Sequence, residues 1–268
     1  MKISVVIITH NQAVYLEKVL AGYSNQVQNP YEVIIAEDGA DSDTKRVVSE
    51  FRRNVDFPVH HVRQQHIGTP RLSHARNLGT RSASGEYIIY TDGDCIPSPH
   101  FIRDHEKLAQ FGWYVQGKRI FVNDQAFHII QGDESTWRLL LHWLTGDITK
   151  LHLIFRFPGY WTEQKGIAGT RGCNFAAFRE DILKVNGHNE EFVGFWRQDS
   201  EFALRLQRAG IRRKNARLSA VLFHLPHEKL IVESDLIRND ELLERTRNGP
   251  VSIRHGLTMI SPDDKKTA

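Results

Sequence analysis

Two aspartates one residue apart, at the end of a hydrophobic run, are the residues of this chain best suited to chemistry. The run Tyr87-Ile88-Ile89-Tyr90-Thr91 leads directly into Asp92-Gly93-Asp94 and then Cys95-Ile96-Pro97. In extended backbone such a pair shares one face, so both carboxylates can converge on a hard divalent cation. A cation held by one or two carboxylates at the end of a parallel strand keeps open positions, and phosphate oxygens are their usual occupants. The competing reading is a polar turn, because Asp-Gly is a common turn dipeptide and Pro97 ends the strand. The residues alone leave both readings open.

The elements around this segment are those of an α/β protein. Residues 3–8 form an apolar, β-branched run expected to be a strand buried on both faces, and 32–36, 59–62 and 87–91 are further expected strands. Helices are expected over 12–23, from Asp43 or Thr44 as the cap to Arg53, and over 73–82. Strands alternating with helices predict a doubly wound, mostly parallel sheet, which binds ligands at its strand carboxyl ends. Asn11, Asp38, Asp92 and Asp94 all fall there. The alternation breaks after Pro97: helices are expected over 101–111, within 131–151, and over 180–185 and 199–209, the last ended by Gly210. Strands are expected over 114–122 and 218–223, an aromatic and glycine-rich loop over 155–172, and a last helix over 234–245. The Pro262-Asp263-Asp264-Lys265-Lys266 end is expected to fray.

Composition bounds the rest. A chain of 268 residues with 40% hydrophobic and 25% charged residues suits one large soluble domain. A net charge of +3 is too small to argue for nucleic acid, and is compatible with anionic substrates. The two cysteines, Cys95 and Cys173, offer neither a disulfide framework nor a zinc spacing, so a reducing, cytoplasmic setting is expected. No apolar stretch reaches the length of a membrane span, so any membrane association is expected to be peripheral.

Several motifs stand in a familiar order. Val5-Val6-Ile7-Ile8-Thr9-His10-Asn11, Ala36-Glu37-Asp38-Gly39, Ala75-Arg76-Asn77-Leu78-Gly79 and Thr91-Asp92-Gly93-Asp94 together resemble the family 2 glycosyltransferases of the GT-A fold, over roughly residues 3–227. Gly172-Cys173-Asn174-Phe175, Gly194-Phe195-Trp196-Arg197-Gln198-Asp199 and Phe223-His224-Leu225-Pro226-His227 are similar to the subgroup with a galactosyltransferase-like C-terminal portion. The subgroup usually has an acid where this chain has Gln198. Residues around Gln65, His66 and Arg71 also depart from the family pattern.

The resemblance implies a GT-A domain over 1–230, with a nucleotide-sugar half to about residue 98 and an acceptor and catalytic half beyond it, then a helix and tail over 231–268. It implies transfer of a hexose or N-acetylhexosamine from a nucleoside diphosphate sugar, with UDP favoured, to a saccharide or glycolipid acceptor. A bacterial surface polysaccharide or lipopolysaccharide is the expected product. Asp94 would hold a divalent cation, and Asp92 would serve the metal, the ribose or the sugar. His224 is the expected imidazole ligand and His227 its competitor; a borderline nitrogen ligand favours Mn²⁺, with Mg²⁺ the alternative. Asp199, at a helix start whose amides favour an anion, is expected to be the general base of an inverting reaction. Its alternative is a plain N-cap. Asp38 would read the base edge, Thr9 and Asn11 would hold the nucleoside, and Arg76 would pair with phosphate or brace the acidic cluster. Trp196, Trp161 and Asn174 are the expected acceptor contacts.

Rival readings fare less well. Tyr114 and Lys118 have the spacing of a short-chain dehydrogenase pair, but no Gly-x-Gly-x-x-Gly follows the first strand. Residues 166–172 are glycine-rich yet lack the lysine of a phosphate loop. A sugar-1-phosphate nucleotidyltransferase would share sheet and metal but should carry a glycine- and arginine-rich loop where Thr9-His10-Asn11-Gln12 stands. A GT-A domain that binds without catalysing is the last alternative, and Gln198 is the residue that suggests it.

Overall fold

The computed structural model describes residues 1–227 and 232–258. The expected frayed end at Pro262 to Lys266 lies outside the described residues. The first half follows the expected alternation: β1 (Ile3–Thr9), α1 (Ala13–Ser24), β2 (Glu32–Asp38), α2 (Ser42–Arg53), β3 (Val59–Gln64), α3 (Leu72–Ser82) and β4 (Tyr87–Asp92). Every residue of β1 and β2 is buried, as expected of strands covered on both faces. Asp41, not Asp43 or Thr44, caps α2, its carboxylate accepting from the amides of both. On the opposite face α3 lies so close to β1 that a Cβ on Gly79 would stand 2.3 Å from Val6 Cγ1.

The second half is less regular. It comprises β5 (Cys95–Pro97), α4 (Phe101–Leu108), β6 (Trp113–Gln116), β7 (Lys118–Phe121), α5 (Thr136–Leu144), β8 (Thr162–Glu163), β9 (Asn174–Phe178), α6 (Arg179–Lys184), α7 (Gln198–Arg208), β10 (Arg212–Asn215), β11 (Val221–His224) and α8 (Glu233–Asn248). The large sheet runs β3-β2-β1-β4-β9-β6-β10-β8, and a small one runs β5-β11-β7. Pairing is parallel from β3 through β4 and between β6 and β10, and antiparallel where β9 inserts between β4 and β6.

The strand expected over 114–122 is two strands in two sheets. The break is at Gly117, where a Cβ would fall 2.2 Å from the Asn174 side chain. That carboxamide donates to the carbonyls of Lys118 and Ala220, tying β7 and the approach to β11 together. β10, Arg-Arg-Lys-Asn, carries no apolar alternation and was not expected. It forms because the sheet buries the stem of Lys214 while its ammonium donates to the Leu108 carbonyl. α8 packs along α7, and Asn239 donates to the carbonyls of Val193, Phe195 and Trp196.

Two buried histidines make the fold acid-sensitive. Burial pushes the His105 imidazole down to about 4, against the pull of its hydrogen bond with Asn174. Burial also drives His188, stacked on Phe202 at 4.0 Å, well below its ordinary range. Both are neutral when folded and regain a proton when unfolded, near ~6.5. Their stabilisation is therefore complete above about pH 6.5 and falls on acidification, by about 1.4 kcal/mol per pH unit for each. Urea midpoints measured from pH 7 to 5 should show this slope and His188→Phe should reduce it; identical slopes in both proteins would refute the assignment.

Candidate active site

The Asp92-Gly93-Asp94 segment is a turn and a candidate metal site at once. Asp92 ends β4, Gly93 and Asp94 form the turn, and Cys95 opens β5 in the other sheet. The two carboxylates have different neighbours in the structure: Asp94 is grouped with two histidines and Asp92 is bonded to Arg76, while the charge of Asp94 still acts on Asp92. Asp94 turns toward β11, whose His224 pairs with Cys95, and the Leu225 amide donates to the Asp94 carbonyl at 2.9 Å. This brings His227 Nε2 to 2.9 Å and His224 Nε2 to 3.8 Å from Asp94 Oδ2. Both histidines are placed to serve: ligand atoms of Asp94, His224 and His227 all lie within 4.8 Å of one another. Burial pushes the Asp94 carboxyl up, but the hydrogen bond from His227 and the charge of His224 outweigh it and hold it below the ordinary carboxylate range. One carboxylate and two imidazoles suit a borderline divalent ion such as Mn²⁺.

Asp92 turns the other way. Arg76, on α3 and 2% exposed, donates from Nη2 to Asp92 Oδ1 at 3.2 Å and from Nη1 to Asp199 Oδ1 at 2.9 Å. The second Asp199 oxygen accepts from the Gly172 amide at 2.7 Å. Asp199, in the first turn of α7, therefore does not spend its carboxylate capping its own helix, whose N-cap is Arg197. Burial pushes Asp92 up to about 6 against the pull of Arg76, and solvent reaching 29% of the side chain moderates the effect. The loop before α7 is strained: Trp196 and Arg197 have φ of 95° and 69°, which side-chain-bearing residues rarely adopt. Asp240 on α8 restrains it, accepting from the Trp196 indole at 3.3 Å and from Arg197.

Gly172 has no room for a side chain. A Cβ there would stand 2.2 Å from Arg76 Nη2 and 2.5 Å from Asp199 Oδ1. Gly172→Ala should cost about 1–3 kcal/mol of stability and ~10²-fold or more in kcat, because it pushes the guanidinium off both carboxylates. Steady-state kinetics beside a melting curve would check this; unchanged kcat would refute it.

A third group of residues stands at the ends of β1, β2 and β3. Asp38 is buried, accepts at Oδ2 from the Arg71 amide at 2.9 Å, and leaves Oδ1 without a hydrogen-bond partner. His66 Nδ1 lies 3.4 Å from Oδ2, and His10 stacks on His66 at 4.4 Å and hydrogen-bonds the Asp38 carbonyl. Beside them opens a cavity of about 690 Å³ lined by Asn11, Gln12, Tyr15, Gly39, Asp41 and His66. Thr9 is buried above β1 with its hydroxyl unpartnered.

Residues 4–186 match the family described as glycosyl transferase family 2, and residues 150–228 match the N-terminal domain of galactosyltransferase. The chain belongs to glycosyl transferase family 2. It is 26% identical to a chondroitin synthase of Escherichia coli over 237 residues, covering 78% of this chain and 32% of that protein. It is 28% identical to a hyaluronan synthase of Pasteurella multocida over 227 residues, covering 78% of this chain and 23% of that one. The chain thus spans a third or less of the length of these curated relatives. Among solved structures it is similar to S. aureus TarS, with TM-score 0.63 at 15% identity over 93% of this chain and 40% of that one. It is also similar to GalNAc-T7 with UDP, GalNAc and Mn²⁺, with TM-score 0.65 at 14% identity over 99% of this chain and 53% of that one. These likenesses establish the GT-A fold.

Of the expected acceptor contacts, Asn174 is buried and Trp161 is half-buried. The Asn174 side chain is fully engaged in the interior, donating to two carbonyls and bonded to His105 Nε2 at 3.1 Å. Trp161 packs edge-on against Trp113 at 5.2 Å, with the Lys214 ammonium 4.7 Å from its ring, next to edge strand β8. Trp196 remains available, 47% exposed three residues before Asp199. Gln198 is buried with Oε1 unpartnered. Sequence reading missed His10 and His66, which three strand ends bring onto Asp38. The one signal was the departure at His66 from the usual family residue; His10 lies within the stretch that resembles the opening strand.

Proposed function

We propose that this glycosyltransferase inverts the anomeric centre as it moves a hexose or N-acetylhexosamine from a UDP-sugar to a saccharide acceptor in bacterial polysaccharide synthesis. The observation that carries the reading is Asp199 held between Arg76 and the Gly172 amide, with Arg76 also bonded to Asp92, two residues before Asp94 of the His224 and His227 cluster. Asp199 removes the acceptor hydroxyl proton as that oxygen attacks the anomeric carbon, and the bond to the diphosphate oxygen breaks with its electron pair leaving on phosphate. Arg76 and Gly172 each occupy one lone pair on the Asp199 carboxylate, so others stay open to the hydroxyl. A divalent ion at Asp94, His224 and His227 would neutralise charge on the departing diphosphate. Asp38, with Thr9 and Asn11, would hold the nucleoside at the cavity over β1 and β2, and Trp196 would offer a ring face to the acceptor sugar.

The relatives named chondroitin and hyaluronan synthase support the polysaccharide setting. No helix among the described residues is long and apolar enough to cross a membrane. α5 does expose Trp137, Leu141 and Leu144 on one stripe, a surface suited to peripheral attachment on the cytoplasmic face. Co-sedimentation with vesicles tests that attachment, and full recovery in the supernatant would exclude it. The donor reading is tested by thermal shift against a panel of nucleotide sugars with Mn²⁺, followed by the anomeric configuration of product by NMR. No shift with any UDP-sugar, or a retained configuration, would overturn it.

A further inference from the structure

Six cations gather on the acceptor side of the site without a carboxylate among them. Lys118 and Arg119 open β7, which pairs with β11, and Arg217 lies in the turn just before β11. The Lys150 ammonium donates to the Arg119 carbonyl at 3.2 Å. Lys150 and Arg119 both lie over the Phe121 ring, at 4.5 and 4.8 Å. Arg171 immediately precedes the glycine whose amide holds Asp199, and its own amide donates to Gln116 at the end of β6. Arg213 on β10 is 1% exposed, and its guanidinium donates to the carbonyls of Gly166 and Ala168.

Among the described residues, none of the six stands within 4.0 Å of a carboxylate, whereas nearby Arg156 and Arg212 are paired with Asp104 and Glu163. The cations act on one another. Burial, then Arg213, Arg217, Lys150 and Arg171, pull the Lys118 ammonium below its ordinary range; burial, Arg119 and Arg171 do the same to Lys150. Like charges held this close, partly out of water, are a standing electrostatic penalty that a bound anion would relieve. The donor diphosphate is not the natural occupant of the whole cluster. The diphosphate would sit by Asp94, His224 and His227, where Phe121 lies 5.4 Å from His224 and Arg119 feels Asp92, so it can reach Arg119 and Lys150 at most; Lys118, Arg171 and Arg217 extend beyond it.

We propose that the acceptor is an anionic saccharide, carrying phosphate or carboxylate groups along its chain, and that Lys118, Arg119, Lys150, Arg171 and Arg217 bind those groups while a hydroxyl is presented to Asp199. Buried Arg213 adds its charge from beneath. The inference rests on the assignment of Asp199 as base. Its test uses three oligomers of equal length: a saccharide with a hexuronic acid at every second residue, a polyol phosphate, and a neutral chito-oligosaccharide. Each is titrated by calorimetry into the full chain with Mn²⁺ and UDP present. At least one charged oligomer should bind about tenfold tighter than the neutral one at about 50 mM salt, with the advantage shrinking as salt rises. Which one binds distinguishes phosphate from carboxylate. The exposed pair Lys150→Gln and Arg217→Gln should abolish most of that advantage while UDP affinity stays within about twofold. Equal affinity for all three oligomers, or no binding of either charged one, overturns the proposal. So does a loss of UDP affinity matching the loss of oligomer affinity, which would assign the cations to the donor. In each of these outcomes UDP binding by the unsubstituted protein is measured separately, so the donor reading stands or falls on its own.

Discussion

Asp199→Asn should reduce kcat by at least ~10³-fold while the Kd for UDP with Mn²⁺ changes by less than about twofold. The asymmetry follows from what each Asp199 oxygen touches. Arg76 donates to one oxygen and the Gly172 amide to the other, so an asparagine carbonyl oxygen keeps one of these two bonds and the side chain keeps its place between them. What is lost is the second anionic oxygen, and with it the ability to take a proton. The amide nitrogen also sets a donor against either Arg76 or Gly172, at a cost of about 1–3 kcal/mol, so a melting curve must accompany the kinetics. Retained turnover, or kcat and UDP affinity falling together, would remove Asp199 from the role of base. A companion variant, Arg76→Lys, should lower kcat less steeply, because one ammonium cannot fork between Asp92 and Asp199.

Asp94→Asn should weaken Mn²⁺ binding by about 10²-fold and His227→Ala by about tenfold, and both should abolish the increment in UDP affinity that Mn²⁺ provides. The reason is the donor set: among the described residues Asp94 is the carboxylate grouped with His224 and His227, and His227 approaches it to 2.9 Å against 3.8 Å for His224. Asp92→Asn should lower transfer while leaving Mn²⁺ affinity within a few-fold, since Asp92 is tied to Arg76 instead. Titration of Mn²⁺ followed by electron paramagnetic resonance, with and without UDP, separates these outcomes. Ordinary Mn²⁺ affinity in the Asp94 variant would move the metal elsewhere. The His10, Asp38 and His66 group is then the alternative to examine, because its ligand atoms also lie within 4.8 Å of one another.

The nucleotide half was legible because its signals are local. β1, β2 and β4 are short apolar runs flanked by polar turns, and α3 carries small residues where it meets the sheet, so each element's existence follows from its own residues. The candidates Asp38, Asp94, Asp199 and His224 were legible for the same reason: each sits at the end or start of such an element. The acceptor half was not. Arg212–Asn215 is a strand only because its neighbours β6 and β8 supply pairing and nearby carbonyls take up its charges. Asn174 looked like a ligand-facing amide and is instead the tie that lets one run of chain belong to two sheets.

Residue type and order settled which groups are present: an acidic turn after the fourth strand, a histidine pair after the last, and an aspartate opening a helix. Those identities suffice for the family and the GT-A fold, because apolar periodicity and turn chemistry act over a few residues. The pairing of the groups was decided by tertiary structure. Arg76 meets Asp199 across 123 positions of sequence, and His227 meets Asp94 only because β11 runs antiparallel to β5. Such contacts depend on strand order and register, which arise from packing between distant segments. The same packing gives Asp92 an arginine partner and Asp94 a histidine pair, so two aspartates that look alike along the chain have different neighbours.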